Sequence, residues 1–182
     1  MDYFLRMWDV LVLFLIPIGG GIPGGVLLAR SKGFDWPIMM ILYLISDIIL
    51  ALVFEPVLIL FIKAGKKIPS LAKISATLKQ MVQKTIAYYG HSTGAFALIM
   101  ISFGSDPMTG RSVAIAAGHG FVTGWMIAIA GDMIYFTLLM VSTLWLNNIL
   151  GDGTITMLII LALMIVLPAL IRGLRKKFKK TD

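Results

Sequence analysis

The chain has 182 residues, of which 59% are hydrophobic and only 14% are charged, and its mean hydropathy is +0.94. A soluble domain averages about 45–50% apolar and about 25% charged residues, so this composition excludes an ordinary soluble fold and equally excludes disorder. The sequence contains no cysteine, which excludes disulfides, thiolate metal sites and thiol redox chemistry. We therefore expect an integral membrane protein whose surroundings are membrane lipids.

The positive net charge of +7 is concentrated in two basic segments, residues 63–84 and 172–182, which both lie beside apolar stretches. By the positive-inside rule both segments are expected in the cytoplasm, next to anionic lipid. Neither segment contains stacking or base-reading elements, so nucleic acid is not an expected partner. The charge pattern therefore predicts a multi-pass protein of the cytoplasmic (inner) membrane with a cytoplasmic C-terminus.

The N-terminal apolar stretch, residues 8–18, is too short to cross a bilayer and runs into glycines and prolines. Interrupted apolar arms are typical of re-entrant hairpins, so we expect one over residues 5–33, with a full crossing as the open alternative. A cleaved signal peptide is a competing interpretation, but no Ala-x-Ala-like site follows Ile18. The expected breaks of this hairpin are Gly19, Pro23 and Gly25.

Residues 36–62 are apolar for long enough to cross a hydrocarbon core of about 30 Å. In the basic segment 63–84 apolar residues recur at 3–4 spacing, which predicts an amphipathic helix on the cytoplasmic surface; a solvated connector is the alternative. Residues 85–118 are a second interrupted stretch, and a hairpin is favoured here because one more crossing would put the basic segments on opposite faces. Its expected breaks are Gly104, Pro107 and Gly110.

Two further apolar stretches, residues 121–147 and 154–171, predict a second long membrane helix and a C-terminal one. A shift of 85 residues aligns helix breakers with helix breakers and Asp47 with Asp132, which indicates an internal repeat. The expected fold is one all-α integral membrane domain over residues 1–182, with two inverted repeats, each a re-entrant helical hairpin followed by a long transmembrane helix. Its parts are a first repeat (1–62), the linker (63–84), a second repeat (85–148), a C-terminal transmembrane helix (154–171) and a basic tail (172–182).

Ionisable groups inside the apolar stretches are the candidate functional residues, because each costs about 2.5–3.5 kcal/mol on insertion scales unless it meets a partner or water. Asp47, Asp132 and Glu55 are expected to couple protons, with a hydrogen-bonded structural carboxylate as the alternative. Arg111 offers a planar fork that either binds an anionic substrate or neutralises Asp132 or Asp106.

Asp106 and His119 complete the expected substrate site around Arg111. No metal, cofactor or catalytic residue is expected, since the sequence has no His or carboxylate pair at metal-ligand spacing, no nucleophile–base set and no nucleotide loop. Small residues at every fourth position are expected to let another helix approach closely; they are Ala116, Gly120 and Gly124.

The run Pro107-Met108-Thr109-Gly110-Arg111-Ser112, followed by Ala117-Gly118, resembles a motif of the DedA (VTT or SNARE-associated) family, in which a proline precedes an arginine and Ser/Thr, and Ala-Gly follows. The layout is also similar to that of the small multidrug-export family. The resemblance implies two oppositely oriented re-entrant hairpins, proton-driven transport, a role in recycling undecaprenyl phosphate, and Arg111 as the anion-binding arginine. The acidic residue of the DedA first hairpin has no counterpart in residues 16–25, so Asp106, Asp132 or Asp47 would take its place.

Two functions remain after these exclusions. The first is a small secondary transporter or lipid-carrier flippase for an anionic small molecule or lipid phosphate, with protons as the candidate coupling ion. The second is a non-catalytic subunit that anchors or assembles a larger membrane complex and uses its ionisable groups for pairing between subunits. An enzyme is not expected, and a homo-oligomeric state is left open.

Overall fold

The computed structural model describes residues 2–16, 21–65, 98–99, 102 and 107–178. The regular structure of these residues is entirely helical, which confirms the expected all-α class for this part of the chain. Gly19, Gly104, Asp106 and most of the linker lie outside the described residues. The helices are α1 (Asp2–Leu15), α2 (Gly21–Ser31), α3 (Trp36–Gly65), α4 (Pro107–Ala116), α5 (Phe121–Leu150) and α6 (Gly153–Phe178).

Helices α1 and α2 pack against each other as an antiparallel hairpin. At one end the ring of Tyr3 meets Phe34 edge-on, with ring centroids 5.4 Å apart. Further along, Lys32 Nζ donates a hydrogen bond to Asp9 Oδ2. The partner numbers fall as the residue numbers along α1 rise, which defines the opposite directions of the two helices.

Pro23 and Gly25 lie inside α2 and not at a break, which corrects the prediction made from their residue types. Pro23 sits in the first turn, where a backbone N–H would have no intrahelical acceptor to lose. Gly25 serves close packing, because a Cβ at this position would lie only 2.3 Å from Phe14 Cε1. A glycine or proline in an apolar stretch therefore does not by itself mark the end of a helix.

Gly110 requires the same correction, since it lies inside α4. A Cβ at Gly110 would lie 2.6 Å from Ser102 Oγ and 3.1 Å from the Cβ of Ala128, so the missing side chain allows close approach of neighbouring segments. Pro107, the other described residue expected at a break of this hairpin, is the first residue of α4, a position that proline favours.

The turns that follow α2 and α4 have the same hydrogen bonds at positions related by the shift of 85 residues. Gly33 and Gly118 have φ values of +80° and +89°, which glycine adopts without steric cost. In both turns the glycine N–H donates to the carbonyl three residues earlier, and the next N–H donates to the carbonyl five residues earlier. The bounds of α3 and α5 obey the same shift at both ends. The internal repeat is thus reproduced in the helix bounds and in the turns that precede the long helices.

Two helices are long and apolar enough to cross a membrane by length and composition, Trp36–Leu60 and Phe121–Leu150. The apolar part of α6 is shorter, Gly153–Met164, and the helix does not end at residue 171 but continues through basic residues to Phe178. Its start is capped by Asp152, whose Oδ1 accepts hydrogen bonds from the N–H groups of Thr154 and Ile155.

The chain comprises two compact units, Met1–Met39 with Leu138–Asp182, and Met40–Thr137. The first unit contains the α1–α2 hairpin and α6, which packs on α2. The second unit contains α4 and the longer parts of the apolar stretches of α3 and α5. All ionisable groups of the candidate site that the structure describes belong to this second unit.

Candidate functional site

Arg111 lies on α4, where 3% of the residue is exposed. Its Nε donates to Glu55 Oε2 at 2.9 Å and its Nη2 donates to Glu55 Oε1 at 2.7 Å. This two-pronged geometry matches the planar guanidinium to the planar carboxylate, which makes it one of the stronger ion-pair arrangements in proteins. Arg111 therefore holds Glu55 of α3 through both of its oxygen atoms.

A third donor converges on the same carboxylate, because Trp125 Nε1 on α5 donates to Glu55 Oε2 at 2.8 Å. Arg111 Nη1 points the other way and donates to the backbone carbonyls of Gly120 at 3.2 Å and His119 at 3.4 Å. The guanidinium thus joins α3 and the start of α5 to α4. We call Arg111, Glu55 and Trp125 the anion cradle, since its three donors surround one anionic group.

Gly124 provides the space that the anion cradle needs. A Cβ at Gly124 would lie 2.1 Å from Arg111 Nη1 and 3.4 Å from the Cβ of Ala114. The expected close approach at this small residue is confirmed, and what approaches is the arginine side chain as well as the helix that carries it. At Gly120 a Cβ would meet nothing nearer than Thr123 Oγ1 at 3.9 Å, so the two glycines have different roles.

The anion cradle differs from the arrangement expected around Arg111. Its observed carboxylate partner is Glu55, a residue that the sequence placed among the proton carriers, while Asp132 and Asp106 were the expected partners. His119 lies next to Arg111 as expected, and it contributes its backbone carbonyl to that contact. Trp125 was missed, because a tryptophan in an apolar stretch gives no signal of a hydrogen-bond partner until the helices are placed.

Asp132 and Asp47 form a second group, which we call the aspartate pair. Tyr43 Oη donates to Asp132 Oδ2 at 2.7 Å, and the ring of Tyr43 is stacked on Phe136 with centroids 3.9 Å apart. Asp47 lies one turn after Tyr43 on the same face of α3, close enough to Asp132 for their charges to interact. Both aspartates are almost completely buried, with 1% and 2% of the residue exposed.

The contacts between α3 and α5 within this unit run in opposite directions along the two helices. Met40 accepts a hydrogen bond from Thr137, and Tyr43 contacts Asp132 and Phe136. Further along α3, Glu55 contacts Trp125. Interpolation along this antiparallel series puts Asp47 level with Asp132. The two residues that the repeat makes equivalent therefore face each other where the two repeat-related helices cross.

Among the described residues, Asp47 Oδ2 has no hydrogen-bond partner although it is buried. An unpartnered carboxylate oxygen in a buried position is costly when it is charged, and it is found at functional sites more often than at structural ones. The expected metal-free character is not contradicted by geometry, since no group of three or more His, Cys, Asp or Glu side chains converges within the described ranges.

No family model, curated protein or solved structure matches this chain. The argument for function therefore rests on the anion cradle and the aspartate pair.

Proposed function

We propose that the protein is a small proton-coupled secondary transporter of the inner membrane that moves an anionic substrate. The observation that carries the proposal is the aspartate pair: two repeat-equivalent carboxylates, both buried, facing each other midway along helices long enough to cross a bilayer. A carboxylate at the middle of a membrane helix is expensive and is typical of proton and ion pathways. Asp47 and Asp132 are then the residues that exchange protons.

The surface of the long helices supports a position in the membrane. Only 33% of the most apolar part of α3 and 44% of that of α5 is buried inside the fold, whereas a core helix of a soluble protein would be mostly buried. Large apolar side chains point outward, among them Leu60, Met126 and Trp145, each 66% exposed. Lipid is the solvent that suits such a surface.

The antiparallel course of α3 and α5 supports an inverted repeat. Two helices with equivalent positions in a repeat that run in opposite directions are what an inverted-topology transporter requires. Transporters of this kind place their substrate and coupling ion at the interface of the repeats, near the middle of the membrane. The aspartate pair occupies that position between α3 and α5.

The anion cradle supports a negatively charged substrate. Two N–H groups of Arg111 and the indole N–H of Trp125 converge on one carboxylate, and the same donors suit a carboxylate or phosphate oxygen of a substrate. Glu55 then acts as an internal anion that occupies the cradle until substrate replaces it. The phosphate of a lipid carrier and a free phosphate share this chemistry.

The alternative, an anchoring subunit, requires ionisable groups that are available to another chain. Arg111 and Glu55 satisfy each other within this chain, and Asp132 accepts a hydrogen bond from Tyr43. The described ionisable groups of the second unit thus favour an internal role. A subunit would also leave detergent with stoichiometric partners, which co-purification measures directly.

The test uses the full chain in liposomes with two anionic probes and a neutral control. A fluorescent short-chain phosphatidic acid, whose flipping is read by chemical quenching, represents a lipid phosphate, and labelled inorganic phosphate represents a soluble one. We expect movement of at least one anionic probe, faster under an imposed pH gradient, and no movement of the matching phosphatidylcholine. Movement of neither anionic probe above protein-free liposomes would refute the proposal, and the responding probe identifies the substrate as lipid or soluble.

A further inference from the structure

The two halves of the aspartate pair have different surroundings although the repeat makes them equivalent. Tyr43, which donates to Asp132, corresponds to Ala128 in the second repeat. Alanine has no donor, so position 128 cannot give Asp47 the hydrogen bond that position 43 gives Asp132. Phe136, which fixes the ring of Tyr43 by stacking, corresponds to Ala51. The repeat symmetry is therefore broken at the residues that contact the carboxylates.

This difference has a direct electrostatic consequence. Two adjacent buried carboxylates cannot both be charged at low cost, so the pair holds one proton over a wide pH range. A hydrogen bond to a carboxylate favours its charged form, and Asp132 receives one from Tyr43. Asp47 Oδ2 has no such donor in the described part of the chain. The neutral form is thus favoured on Asp47.

We propose that Asp47 carries the exchanging proton, that Asp132 remains the charged member of the pair, and that Tyr43 is the positioning residue that sets this difference. A proton from water adds to Asp47 Oδ2 to give the neutral acid, and its release to water restores the carboxylate, with no other bond changed. Tyr135 is the further titratable group that interacts with Asp132 and Tyr43. The inference rests on the proposed coupling to protons and adds the order of the two carboxylates to it.

Infrared difference spectroscopy of the purified full-length protein tests this assignment, because a neutral carboxylic acid has a C=O band that a carboxylate lacks. At neutral pH we expect this band in the wild type, its loss in Asp47→Asn and its retention in Asp132→Asn. Asp152→Asn, an exposed cap position, is the matched control and keeps the band. Adding Tyr43→Phe to Asp47→Asn removes the donor from Asp132, so the band should return.

The opposite pattern, with the band lost in Asp132→Asn and kept in Asp47→Asn, would overturn the assignment, and so would a wild type without the band. If an aspartate variant does not fold, Tyr43→Phe alone keeps both carboxyl groups and should change the position and the pH titration of the band; an unchanged band would overturn the role of Tyr43. No transport is measured, so the expected spectra in a protein that moves no anionic probe refute transport alone.

Discussion

Arg111 and Glu55, which are 56 positions apart in the chain, form a buried two-pronged ion pair with N···O distances of 2.9 and 2.7 Å. The carboxylate also accepts from Trp125, so removal of either charged partner leaves the other buried without its counter-charge. Breaking a buried pair on one side costs about 3–5 kcal/mol, whereas replacing both partners by apolar residues is often neutral. This asymmetry separates the structural contribution of the pair from its binding role.

The first prediction uses that asymmetry. Arg111→Met should lower the free energy of unfolding by about 3–5 kcal/mol, because the charge of Glu55 is left buried. The double variant Arg111→Met with Glu55→Met should recover most of this loss, as measured by denaturation in detergent. The same double variant should fail to move the anionic probes. Normal movement of the probes by the stable double variant would show that the anion cradle does not bind substrate.

A second prediction concerns the two glycines before and inside α5. Gly124→Ala places a Cβ 2.1 Å from Arg111 Nη1, so the guanidinium must move away from Glu55. We expect a loss of about 1–3 kcal/mol in the free energy of unfolding, as for overpacked cores. Gly120→Ala is the matched control, with no atom nearer than 3.9 Å, and should cost less than about 1 kcal/mol. Equal effects of the two substitutions would contradict the described position of Arg111.

The equivalent turns of the two repeats give a third prediction. Gly33→Ala and Gly118→Ala force an L side chain into φ values of +80° and +89°, which costs about 1–2 kcal/mol each. Gly24→Ala is the control, because its nearest contact is the flexible end of Met157 at 3.6 Å and α2 gains a better helix former. Thermal unfolding should therefore fall by similar amounts in the first two variants and not in the third. A large difference between Gly33 and Gly118 would argue against equivalent turns.

The inverted topology makes a fourth prediction. If residues 85–118 enter and leave the membrane on one side, single cysteines at positions 83 and 120 should both react with an impermeant thiol reagent from the cytoplasmic side only. The chain has no cysteine of its own, so each label reports one position. Reaction at position 120 from the outside would reject the second hairpin.

The sequence was sufficient for the features that depend on periodicity and composition. The positions of the two long apolar helices and the repeat that relates Gly33 to Gly118 follow from residue patterns, and they appear in the structure. Pro23, Gly25 and Gly110 were misread as breaks, because a residue type does not reveal whether a glycine provides a turn or a space for a neighbouring side chain. The pairing of Glu55 with Arg111 depends on how three helices meet, which no local pattern encodes.

The central claim is that the aspartate pair couples proton movement to movement of an anion. Its most direct measurement is the pH-gradient dependence of anionic-probe movement in liposomes that contain the wild type, Asp47→Asn, Asp132→Asn or the control Asp152→Asn. We predict that the wild type and the Asp152 variant respond to the gradient and that both variants of the pair lose this response while they still bind the probe. An undiminished gradient response in Asp47→Asn and Asp132→Asn would contradict the account.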